Sequence, residues 1–141
     1  MITLFYAGSL TILALILAFL TGRRRFKTET NLGLGDDFGM LQITRAHGNL
    51  IENAVFFIIL SFLLETVGGV SSITTIVLGD LFLLARISHA YGITRPEAKS
   101  VFRAIGTLVS VIVLAIQAIW SLVISINWLA SNLSLIHISE P

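Results

Sequence analysis

Arg45-Ala46-His47-Gly48-Asn49-Leu50-Ile51-Glu52, followed by the apolar run from Ala54 to Leu64, decides how this chain is read. Four polar side chains, Arg45, His47, Asn49 and Glu52, stand at the head of a segment apolar enough to enter a bilayer. Holding a charged group there costs about 2.5 kcal/mol or more, so such residues face a bundle interior, a partner or a ligand. At helical spacing Arg45, Asn49 and Glu52 fall at i, i+4 and i+7 and share one face, with His47 off that stripe.

The surrounding composition agrees. Of 141 residues, 55% are hydrophobic and 12% charged, against roughly 25% charged in a soluble domain, and the mean hydropathy is +0.93. The chain therefore reads as an all-α integral membrane protein, a four-helix bundle. A barrel would show short alternating strands in place of these long apolar blocks. Cysteine is absent, which removes disulfides, thiolate nucleophiles and thiolate metal ligands, so any thiol chemistry needs a thiol carried by a ligand. His47 and His89 lack the spacing and third ligand of a zinc site, and no metal is expected. A net charge of +1 without a basic tail gives no sign of nucleic acid.

Four spans of near 20 residues follow, at 2–21, about 50–67, 73–93 and 104 to about 130. The first has no basic residue before its apolar run, whereas Arg23, Arg24, Arg25 and Lys27 come after it, so it reads as a retained anchor and not a cleaved leader. Loop one carries those four cations, and loop three carries Arg95 and Lys99 with Arg103 at its edge. The Gly68-Gly69 turn carries none. The expected orientation places the N-terminus outside and loops one and three in the cytoplasm. The short turn makes spans two and three antiparallel neighbours, while residues 28–39, with Gly33, Gly35 and Asp36-Asp37, read as an irregular connection. Residues 133–141, Leu-Ser-Leu-Ile-His-Ile-Ser-Glu-Pro, resemble the in-frame translation of a transposase end adapter. They are set apart as an artefactual tail from a single membrane domain at 1–132.

More polar residues lie within the later spans. Arg86 and His89 are i, i+3 neighbours, followed by Tyr91, and span four carries Arg103, Gly106, Ser110 and Gln117 as a second stripe. The topology brings Arg45, His47, Asn49, Glu52, Arg86, His89, Tyr91 and Arg103 to one depth. Three arginines against one glutamate suit an anionic small molecule. The alternative is a packing network in which Glu52 pairs with Arg45 or Arg86. Asp80 lies deeper, as a helix contact or a member of a proton relay.

Arg45-Ala-His47-x-Asn49-x-x-Glu52 on span two, Arg86-x-x-His89 on span three and Arg103 opening span four resemble the MAPEG family, the membrane-associated proteins in eicosanoid and glutathione metabolism. The resemblance implies a four-helix subunit assembled as a homotrimer in a bacterial inner (plasma) membrane, with glutathione between subunits near the cytoplasmic side. It implies that Asn49, Glu52, His89 and Arg103 contact glutathione, that Arg45, His47 and Arg86 support them with Tyr91 nearby, and that Arg103 steadies the thiolate catalytically. Gly48 stands where characterised glutathione-binding members of the family have a basic residue, Thr107 where several have a tyrosine, and Ala104 where the prostaglandin-forming members have a small hydroxyl residue.

Three functions follow as expectations. The first is transfer of glutathione or a related thiol to a lipophilic electrophile, or the reduction of that electrophile. The second is a non-catalytic membrane scaffold or ligand-binding protein with a structural polar cluster. The third is an ion or proton conductor using Asp80, Arg86 and His89. Membrane lipids and a lipophilic small molecule are the expected partners.

Overall fold

The computed structural model describes residues 1–95 and 100–138, with side chains as far as residue 133. Four helices follow one another: α1 (Thr3–Lys27), α2 (Phe38–Thr66), α3 (Ser72–Ile93) and α4 (Val101–Ile138). All four are long and apolar enough to cross a membrane, the shortest having 22 residues, or about 33 Å of helix. The described residues contain no strand. Lys99, and His137 and Glu140 with the other side chains of the tail beyond Leu133, lie outside what is described.

Span three matches α3 to within one residue, but the others are longer than expected. The largest correction is α2, which begins at Phe38 and so takes in Arg45 to Glu52 as mid-helix residues. Its start is set by Asp37, whose carboxylate accepts the Met40 amide at 2.7 Å as an N-cap. From there Met40, Ile43, Ala46, Leu50, Ala54 and Phe57 recur at three- and four-residue steps and are all buried, the pattern of one helical face. α1 continues past Thr21 through Arg24, Arg25 and Lys27, cations favoured at a helix C-terminus. In loop one, Gly33 and Gly35 take φ of 74° and 56°, where the lack of a Cβ removes the steric penalty. α4 runs past residue 130 to Ile138.

α1 lies against α2 and α3, and α4 lies against the same two helices on their other side. Small residues set the closest approaches. A Cβ on Gly79 would strike the ring of Tyr6, and one on Gly106 would stand 2.5 Å from the Ala85 carbonyl oxygen and 2.7 Å from the His89 nitrogen. The inward faces carry an aromatic column: Phe57 stacks on Phe82 at 4.1 Å, and Tyr6 meets Phe57 edge-on at 6.4 Å. Leu4, Phe19, Phe56, Phe62 and Leu108 are exposed, as expected of a bundle whose solvent is lipid.

Polar contacts tie the two ends. At one end the Glu65 carboxylate accepts from the amides of Ile2 and Thr3, at 2.6 and 2.9 Å, and from the Thr3 hydroxyl at 2.6 Å. α2 thus supplies the anionic cap that the first turn of α1 lacks. Between these, Tyr6 donates to Asp80 at 2.7 Å, which makes Asp80 a helix contact. At the other end Arg24 forks onto Asp37 with bonds of 2.8 to 3.1 Å. That guanidinium, with the Met40 amide, holds the Asp37 carboxyl below its ordinary range.

Candidate functional site

Arg86 is the centre from which the polar cluster is built. Only 2% exposed, it donates through Nη1 to Asn49 Oδ1 at 2.7 Å and through Nη2 to the Gly106 carbonyl at 2.8 Å. One guanidinium therefore joins α2, α3 and α4, and its central carbon lies over the Phe82 ring, 5.7 Å from the ring centre. The missing side chain of Gly106 is what lets α4 come near enough for its carbonyl to serve. Ser110 and Gln117 continue the α4 stripe inward; both are buried, and Gln117 donates to Ser61 at 2.7 Å.

His89, 6% exposed, stands one turn beyond Arg86. Its Nδ1 lies 2.9 Å from the Thr107 hydroxyl, which itself donates to the Arg103 carbonyl at 2.9 Å. With the hydroxyl proton spent there, Thr107 accepts and His89 Nδ1 carries the hydrogen. In the neutral ring Nε2 is then an acceptor, and it is buried with no partner among the described residues.

Beside this framework lies a cavity of about 430 Å³ lined by Arg45, Asn49, Glu52 and His89, with Leu34, Thr44 and Gly48 among its other walls. The i, i+4, i+7 face of α2 forms one side of it. A second cleft, of about 370 Å³, adjoins it through Arg45 and holds Arg103. The two spaces bring together Arg45, Asn49, Glu52, His89 and Arg103, with Arg86 behind Asn49. They do not take in the other two residues expected at this depth. Half-buried His47 lines neither space. Tyr91 turns away, edge-on to Phe102 at 5.4 Å and under the Arg95 guanidinium at 4.2 Å, because two residues rotate it about 200° from His89.

The expected pairing of Glu52 with Arg45 or Arg86 is also absent. Among the described residues the ion pairs are Met1 with Glu65 and Arg24 with Asp37. Glu52, Arg45 and Arg103 are exposed in the single chain. Two contributors were missed from the sequence: Leu34, a lone apolar residue between Gly33 and Gly35 that forms part of the cavity wall, and the Gly106 carbonyl, which no side-chain pattern can reveal.

The MAPEG family model matches residues 3–123, which takes in α1 to α3, the first part of α4 and every residue of this site. No curated protein matches the chain.

Proposed function

The chain belongs to the MAPEG family, and on that footing we propose that it binds glutathione or a related anionic thiol at the basic end of the bundle and transfers it to a lipophilic electrophile entering from the bilayer. The observation that carries this reading is the meeting of Arg45, Asn49, Glu52 and His89 in one cavity, with Arg103 in the adjoining cleft. The cavity's size falls within the roughly 300–1,000 Å³ usual for small ligands.

The lining groups also fit such a ligand. Arg45 and Arg103 are cations without an ion pair among the described residues, suited to carboxylates and a thiolate, and Glu52 is suited to an ammonium. His89 Nε2, a buried acceptor without a partner among the described residues, calls for a donor. Bound there, glutathione would supply a nucleophilic sulfur. The charge of Arg103 favours thiolate over thiol, and Arg86 holds Asn49 in place. Exposed Arg45, Glu52 and Arg103 on membrane helices further support self-assembly, which on the family footing is a homotrimer, since covering them with another copy avoids the cost of charge in lipid. We place that trimer in a bacterial inner membrane with the N-terminus outside and loops one and three cytoplasmic, as the basic residues favour.

Calorimetry of glutathione with the detergent-solubilised protein tests the proposal. Saturable binding that disappears in Arg103→Ala is expected, and no binding by a folded oligomer would sink it. A non-catalytic scaffold is the second reading, favoured because Arg86 commits Asn49 and the Gly106 carbonyl to helix packing. On that reading Glu52→Gln lowers oligomer stability and no thiol binds.

A further inference from the structure

A separate cleft of about 400 Å³ lies where the end of α1 passes the start of α2. On α1 its wall is Leu20, Arg23, Arg24 and Lys27, an i, i+3, i+4, i+7 stripe, and on α2 it includes Gly39 and Ile43. Arg24 is neutralised by Asp37. Arg23 and Lys27 are exposed and form no ion pair among the described residues.

Polarity is graded along this cleft. Leu20 and Lys27 are separated by about 10 Å of helix rise. Because α2 runs back against α1, Ile43 lies at the same deep end as Leu20, and Gly39 at the shallow end with the cations. A Cβ on Gly39 would collide with the Arg24 guanidinium, so glycine there keeps room for the Arg24–Asp37 pair at the cleft's edge.

From this arrangement we infer that the cleft seats an anionic phospholipid, its phosphate between Arg23 and Lys27 and its acyl chain against Leu20 and Ile43. A charged head and an apolar tail in fixed order along the membrane normal are what the graded cleft complements. A free inorganic anion would use the shallow end alone. The inference does not rest on the thiol site: the two regions share Gln42 in their walls, but none of the headgroup or tail contacts named above.

The test is thermal unfolding of the whole protein in lipid-free detergent, titrated with phosphatidylglycerol, with phosphatidylcholine of the same chains, or with inorganic phosphate. Phosphatidylglycerol is expected to raise the midpoint where the other two do not. Each headgroup cation contributes about fivefold in affinity, so Arg23→Gln with Lys27→Gln weakens phosphatidylglycerol about 30-fold. Arg25, which donates to the Gly33 carbonyl and faces another cleft, is the control for diffuse surface charge, and Arg25→Gln leaves the affinity within about twofold. Unchanged affinity in the double variant, an equal loss in Arg25→Gln, equal stabilisation by phosphatidylcholine, or full stabilisation by phosphate alone would each overturn the inference. Should the double variant not fold, the single variants read the same site at about a fivefold loss each.

Discussion

Arg86→Lys is expected to destabilise the bundle more than Arg86→Met, although lysine keeps the charge. Arg86 reaches Asn49 and the Gly106 carbonyl at 2.7 and 2.8 Å with two different nitrogens. A lysine nitrogen falls near the guanidinium carbon, so it can serve one acceptor while remaining a desolvated cation. Lysine loses one such bond, worth about 0.6 kcal/mol between helices in a bilayer, and in addition stays a buried cation short of a partner, a penalty of about 1–3 kcal/mol that sets the expected loss. Methionine forfeits both bonds, but interhelical polar bonds in bilayers average about 0.6 kcal/mol, giving about 1.2 kcal/mol for the pair. It also removes the desolvated charge, a replacement that is often neutral. Neither acceptor is stranded: the Gly106 carbonyl keeps the Ser110 hydroxyl at 2.8 Å, and Asn49 borders the cavity. Equilibrium unfolding in mixed micelles, followed by Trp120 and Trp128 fluorescence, measures both variants. If methionine costs as much as lysine or more, the buried charge is itself stabilising and the reasoning fails.

Two further outcomes are expected. Glu65→Ala should cost about 1–2 kcal/mol, as for other lost helix caps, and speed amide exchange at Ile2 and Thr3, with Glu65→Gln intermediate; unchanged exchange in both would show that α1 is held without Glu65. Asp37 should titrate below the ordinary carboxylate range by carbon NMR, because Arg24 and the Met40 amide stabilise its charged form. Its folded value being depressed, its contribution is complete above the unfolded value and is lost as pH falls through the folded one; Arg24→Gln should raise that titration, and no change on substitution would exclude the pairing.

The membrane class and the limits of α3 were legible because lipid demands long apolar segments and Ser71 and the Gly68-Gly69 turn punctuate the chain there. The shared face of Arg45, Asn49 and Glu52 was legible from helical period alone. The start of α2 was not, since Asp37 sits in a polar, glycine-containing stretch that hides its capping role. The turn of Tyr91 away from His89 follows from their two-residue spacing, because a common depth gives two side chains no common direction. Contacts such as Glu65 with Thr3, separated by 62 residues, have no local signature and arise only when the helices pack. Glu52 has no ion pair among the described residues although Arg45 shares its face, because seven residues set the two about 10 Å apart along the helix.

The close approach at Gly106 has an evolutionary consequence. Arg86 can lodge between three helices only because position 106 carries no side chain, and the carbonyl at 106 lies within its reach only because the helices touch there. An alanine at 106 would push α3 and α4 apart and leave the arginine reaching for a receding acceptor; a shorter residue at 86 would remove one reason for the helices to meet so closely. Descendants of this chain should therefore keep or lose the two together, and a lineage that has replaced only one of them should have rebuilt the contact elsewhere along α3.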